Sequence, residues 1–160
     1  PNLLQTGLKQ KKKPKNVFFE GPISAAFIGD SIAKHSTKKE IGAHSIFLGQ
    51  VRNDIINEKE VIAIEYSTYH EMATTVFHEI REAAFAKWPL TCMHIYHSLG
   101  RVASGEISLF VFTSSAHRRA AMEACDYIVE RIKKEAPVWG MEILADNSYF
   151  WKKNTETTPS

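Results

Sequence analysis

Pro89 and Pro137 each stand just past a run of apolar residues at helical spacing, and around those runs the chain reads as β-strands in adjacent pairs. Proline cannot continue a helix, because it lacks the N–H donor and its ring clashes with the preceding turn, so each run has a defined end. The first run is Ala73, Val76, Phe77, Ile80 and Ala84, and it follows Thr68 and Glu71, whose spacing is that of a capping box. The second is Ala121, Cys125, Ile128 and Ile132, within a helix expected over Ser115 to Ala136. Ala43 to Val51 is apolar and β-prone. Glu60 to Ser67 alternates Val61, Ala63 and Glu65 against Ile62, Ile64 and Tyr66, with polar Asn53 to Lys59 between the two segments. Cys92 to His97 and Glu106 to Thr113 flank a turn containing Gly100 and Gly105, and Val138 to Leu144 with Tyr149 to Trp151 forms a hairpin around Asp146-Asn147. An earlier apolar approach, Phe18 to Ile32, includes a helix over Ser24 to His35. Strand pairs separated by helices indicate an α+β fold of antiparallel sheets with packed helices, not a parallel α/β sheet.

At 160 residues and 44% hydrophobic content the chain is long enough for one domain with a real core. No stretch approaches the roughly 20 apolar residues of a membrane span, and Pro1 to Lys15 lacks the apolar segment of a secretory signal, so a cytoplasmic location and no membrane contact are expected. Cys92 and Cys125 occur singly, without the C-x-x-C spacing of a zinc knuckle or redox dithiol, and read as core residues. The net charge is +2, and Lys9, Lys11, Lys12, Lys13 and Lys15 account for five positives, which leaves −3 for the rest. A lysine run can hold nucleic acid through phosphates, but a negative body argues against a nucleic-acid module, and no such partner is expected. The expected organisation is a disordered basic arm over 1–16, one domain over 17–154 and a flexible tail over 155–160.

The chemistry-bearing residues gather at the two ends of the second helix. His117, Arg118 and Arg119 sit where it begins, directly after the cap-like Thr113-Ser114-Ser115, and a helix start already behaves as about half a positive charge. Cations placed there suit a site that holds an anion. Lys133 and Lys134 lie at the far end, where cations also complement the negative end of the dipole. A continuous helix separates His117 from Lys133 by about 24 Å at about 1.5 Å per residue, so one small molecule cannot touch both within one chain. Either the helix breaks, or two copies share a site across a two-fold interface. A metal is not expected: His94-x-x-His97 on a strand sends its imidazoles to opposite faces, and His70 stands apart. Trp88, Trp139 and Phe110 read as core or interface.

Several motifs occur in order at compatible spacing: GAHSIFLGQVRN at 42–53, IEYSTYHEMA at 64–73, KWPL at 87–90, the GE pair at 105–106, SSAHRRAAMEA at 114–124 and IKKEAPVW at 132–139. Over residues 17 to 151 the chain resembles the large, catalytic subunit of molybdopterin synthase, the MoaE family. The resemblance implies a hammerhead-like α+β fold, a homodimer within a heterotetramer, and conversion of cyclic pyranopterin monophosphate to molybdopterin by installing a dithiolene. It implies a small ubiquitin-like partner whose C-terminal Gly-Gly thiocarboxylate brings the sulfur, and no resident cofactor. The absence of a cysteine with an activating neighbour agrees with sulfur arriving on another chain.

Carried over residue by residue, His117, Arg118 and Arg52 match anion and substrate binders, and Lys133 matches the lysine thought catalytic. That lysine can act as a general acid or base, stabilise an oxyanion or attack a carbonyl. Gln50, Val51, Gly140, Met141 and Glu142 match other substrate-contacting positions. Gly140 is a departure, since the family usually carries a lysine after the Trp of P-x-W. Its role passes to Lys134, Lys152 or Lys153, or the chain is a non-catalytic interaction subunit of the same complex.

Overall fold

A computed structural model of the chain describes residues 15–153. The expected basic arm, apart from Lys15 and Asn16, and the expected tail over 155–160 lie outside the described residues. The elements in order are β1 (Phe18–Glu20), α1 (Ala25–Lys34), a single 3₁₀ turn (His35–Thr37), β2 (Ala43–Gln50), β3 (Ile55–Ile56), β4 (Lys59–Thr68), α2 (His70–Lys87), β5 (Leu90–Ala103), β6 (Ile107–Ser115), α3 (Arg118–Glu135), β7 (Val138–Leu144) and β8 (Tyr149–Lys153). The sheet order is β2-β6-β5-β4-β7-β8, antiparallel throughout that path, with β1 added to β5 in parallel and β3 to β4. The expected α+β class holds.

Strand β5 joins the two halves of the sheet. Residues 90–97 pair with β6, then Gly100 to Ala103 pair with β4. The sequence reading ended this strand at His97 and took Gly100 for a turn. The strand instead bends through Gly100, whose φ of +80° is one that residues with a side chain rarely adopt; an added Cβ would also meet the end of the Glu20 side chain at 2.7 Å. The turn itself falls at Ser104-Gly105.

Helices α2 and α3 cover one face. Ala73, Phe77, Ile80 and Ala84 of α2, and Ala121, Cys125, Ile128 and Ile132 of α3, are buried against Met93, Ile95, Leu109 and Val111, so both apolar stripes do what their spacing implies. Helix α1 covers the other face through a smaller cluster of Ile23, Phe110 and Phe112, on which Phe19, Phe27 and Tyr96 pack. Ser24 caps α1 by accepting from the Phe27 N–H at 3.1 Å.

Two expected caps are absent. Tyr69, not Thr68, is the N-cap of α2 and makes no side-chain cap bond; the Thr68 hydroxyl donates to the Pro137 carbonyl at 2.8 Å, where β4 meets β7. Thr113, Ser114 and Ser115 are buried strand residues of β6, and α3 begins after His117. The hairpin at Asp146-Asn147 forms as expected. Asn147 takes φ +65°, and the Asp146 carboxylate accepts from the backbone and hydroxyl of Ser148 and from Lys59.

Candidate functional site

Helix α3 follows β6 after a two-residue link and packs back along β6 and β2. Its start therefore lies beside Ala43 and Ser115, which pair with one another. Its end lies toward the opposite edge of the register, where Gln50 pairs with Ile107. The helix is unbroken from Arg118 to Glu135, which removes the first of the two alternatives for bringing His117 and Lys133 together.

At the start of α3 an open pocket of about 570 Å³ is lined by Gly42, Ala116, His117, Arg118, Arg119, Met122 and Glu123. Its floor depends on Gly42: a Cβ there would lie 2.1 Å from the Ala116 carbonyl oxygen, so the β2 and β6 ends close only over glycine. His117 is the N-cap residue in an extended conformation and makes no cap bond, while the Ser115 hydroxyl donates to its carbonyl. The first turn has no acidic residue. Among the described residues Arg119 pairs with Glu123 at 3.5 Å, whereas neither His117 nor Arg118 pairs with a carboxylate. Backbone donors, a dipole end and two exposed cations thus share one concavity, which suits an anion.

The far end of α3 is differently built. Lys133 is exposed on the last turn and acts electrostatically on His97 of β5. Burial first, then the Lys133 charge, lowers His97 to about 4, against the opposing effect of its hydrogen bond to the Ser98 carbonyl. His97 Nδ1 donates to that carbonyl at 2.8 Å, and the ring of Tyr66 meets the imidazole edge-on at 5.2 Å. The Tyr66 hydroxyl reaches the Ser108 hydroxyl at 3.2 Å, and its pKa is raised by burial and also by the charge of Glu142, which is itself buried. Gly140 pairs with Tyr66, and a Cβ there would stand 3.0 Å from the Ile64 methyl. A larger residue requires Ile64 to move. Lys152 is the cross-strand partner of Gly140, so those two positions share a sheet face.

The remaining candidates divide. Arg52 follows β2, with 71% of its side chain exposed and Asp54 at 3.3 Å. Gln50 is exposed. Val51 is buried, its N–H donating to Glu106 and its carbonyl accepting from Gly105. Strand alternation puts Met141 on the opposite face from Gly140 and Glu142. Lys134 is exposed beside Lys133.

Sequence reasoning missed His97 and Tyr66. Both look like ordinary strand residues, and only the fold brings the Lys133 charge to His97 and the Tyr66 ring against it. His94 and His97 do point to opposite faces. His94, however, meets His35 and Cys92 on the α1 face, where one ligating atom of each lies within 4.8 Å of the others. His94 is lowered to about 4, chiefly by burial and then by His35.

The profile of the MoaE protein family matches residues 22–135. A molybdopterin synthase catalytic subunit from Bos taurus is 38% identical over 115 residues, covering 72% of this chain and 60% of that protein, so the chain spans about three-fifths of that relative's length. Its counterpart from Pyrococcus abyssi is 34% identical over 148 residues and 92% of each chain. Among solved structures, the molybdopterin synthase of Staphylococcus aureus superposes with a TM-score of 0.73 at 28% identity, covering 86% of this chain and 98% of that one. No helix among the described residues is long and apolar enough to cross a membrane.

Proposed function

The chain belongs to the MoaE protein family, and from that premise we propose that it is the catalytic subunit of a molybdopterin synthase, a sulfurtransferase acting on cyclic pyranopterin monophosphate. In this reading the sulfur arrives on the thiocarboxylated C-terminus of a small ubiquitin-like partner, and no cysteine of this chain carries it. Cys125 is buried in the α3 stripe, and its pKa is raised by burial, which suits a core residue better than a nucleophile.

The observation that carries the reading is one unbroken helix with an anion-suited pocket at its start and Lys133 at its end. From Arg118 to Lys133 the axis rises about 22 Å, too far for one pterin. Two copies related by a two-fold axis bring the ends together, with His117 and Arg118 of one copy facing Lys133 and Arg52 of the other. The phosphate falls to the arginines and His117, because a guanidinium offers paired donors to it. Lys133 supplies the ammonium at the reacting centre, supported by neutral His97 and by Glu142. Gln50 and the Gly140 to Glu142 segment line the substrate.

The test combines the purified chain, a thiocarboxylated partner and the pterin precursor, and measures dithiolene product. Mixed dimers of Arg118→Ala and Lys133→Ala chains should regain one intact site, and absence of recovered turnover overturns the shared arrangement. A second reading, a non-catalytic interaction subunit of the same complex, is favoured by Gly140. Partner binding without product decides for it.

A further inference from the structure

On the α1 face, three side chains from two elements bring their ligating atoms together. His35 belongs to the 3₁₀ turn, while Cys92 and His94 alternate on β5 and so share a face. The two histidine Nε2 atoms stand 3.0 Å apart, and these atoms with Cys92 Sγ all lie within 4.8 Å of one another. His35 Nδ1 is 2.7 Å from the Ser31 carbonyl, which can only accept. The ring proton is therefore on Nδ1, and the lone pair on Nε2 is aimed inward. An imidazole oriented through its outer nitrogen by a backbone carbonyl is the arrangement that metal-binding histidines use. Lys38 donates its ammonium to Cys92 Sγ at 2.8 Å, so positive charge already sits at the sulfur. His44, two strands away on β2, holds Ser114 through Nδ1 at 2.6 Å, with its ring 6.2 Å from that of His35.

We propose that His35, Cys92 and His94 form a binding site for a divalent ion of the zinc class, which pins the end of α1 to β5. Two imidazole nitrogens and one sulfur are a borderline-soft donor set, matched to Zn²⁺ and unsuited to Mg²⁺ or Ca²⁺. Tetrahedral zinc with bonds of about 2.0 and 2.3 Å needs nitrogens about 3.3 Å apart and each about 3.5 Å from sulfur, so the nitrogens, now 3.0 Å apart, separate by about 0.3 Å, and a pair standing as far as 4.8 Å apart closes by about 1.3 Å. On binding, the proton between the two Nε2 atoms is replaced by the ion and His94 carries its proton on Nδ1. The sulfur binds as thiolate, its proton passes to solvent, and the exposed Lys38 swings away. The structural consequence follows from how α1 is held. None of its residues is fully buried, and its attachment rests largely on Phe27 against Phe19, Tyr96 and Phe110. An ion between the 3₁₀ turn and β5 adds a tie that packing alone does not supply.

The full chain, stripped of metal by a chelator, is titrated with Co²⁺ and then Zn²⁺. One Co²⁺ per chain should bind with a sulfur-to-cobalt charge-transfer band and tetrahedral visible bands, both removed by Zn²⁺, and Zn²⁺ should raise Tm. Cys92→Ser should lose the charge-transfer band, and His35→Asn should weaken binding by about tenfold or more. Lys38→Met removes the competing ammonium and should tighten binding, whereas Cys125→Ser should change nothing. Should a variant at 35, 92 or 94 fail to fold by circular dichroism, Lys38→Met, at an exposed position, still decides. The proposal is overturned if no cobalt–sulfur band appears at excess Co²⁺, or if binding persists unchanged in His35→Asn. It is likewise overturned if Lys38→Met does not tighten binding, since the three groups are then a hydrogen-bonded cluster capped by a lysine.

Discussion

The two ends of α3 carry the same charge and are built on opposite plans. At the start, His117, Arg118 and Arg119 are exposed around an open pocket whose lining carboxylate, Glu123, is engaged by Arg119 and Trp88. At the end, Lys133 acts on buried His97, whose pKa is lowered by burial and then by that charge, and the neighbouring Tyr66 hydroxyl is raised by burial and by buried Glu142. Exposed cations in water attract anions without tuning them, whereas a charge beside desolvated groups works in a lower dielectric, where proton affinities can be adjusted. Under the proposed function the difference assigns capture to one end and reaction to the other, even though the lysine and the arginines look alike in the sequence.

The largest effect expected from this contrast is at Lys133. Lys133→Ala should lower kcat by about 10² to 10⁴, the range for a lost acid–base or charge-stabilising group, while leaving Tm near that of the parent because the side chain is exposed. Lys133→Arg, which keeps charge but not proton transfer, separates the two roles. A loss in Tm without a loss in kcat would erase the distinction between the ends.

Next in size is the pH dependence set by His97. Burial holds it near 4 in the folded chain against 6.5 when exposed, so between those values the unfolded chain binds more protons. Stability should therefore rise with pH across that window, complete above pH 6.5 and lost by pH 4, by up to about 3 kcal/mol. Urea unfolding at several pH values measures the slope. His97→Gln should flatten it, and a slope unchanged in that variant would move its origin elsewhere.

How much of this was legible beforehand follows from the range of each signal. The two apolar stripes, the proline stops and the Asp146-Asn147 hairpin are local, and each is found where the sequence put it. The Thr68–Glu71 capping box and the Thr113-Ser114-Ser115 cap were misread, because hydroxyl residues at a strand end satisfy the same spacing. Their bonds went instead to Pro137, to Ala121 and to His44, partners distant in sequence or set by the sheet. The end of β5 was misread for a related reason. A glycine marks a turn or a bend equally well, and only the switch of partners from β6 to β4 selects the bend. His97 and Tyr66 near Lys133, and the meeting of His35 with Cys92 and His94, depend on register and on which helix covers which face, and no spacing along the chain announces them.

The capture end predicts smaller changes. Arg118→Ala should raise KM by about tenfold with kcat little altered, as loss of one charged hydrogen bond of about 1.5 kcal/mol implies. A kcat effect as large as that of Lys133→Ala would show that both ends join in the chemistry. Arg119 gives the smallest effect and the sharpest control. Its pairing with Glu123, four residues on, is worth about 0.3–0.5 kcal/mol, but its cation sits in the first turn, where the dipole opposes it by a similar amount. Arg119→Gln should therefore shift stability by less than about 0.5 kcal/mol and leave KM near the parent value. That holds because its guanidinium is already committed to Glu123, while that of Arg118 is not. If KM instead rises as far as in Arg118→Ala, the pocket attracts its anion through summed charge, and the assignment of Arg118 as a specific contact fails.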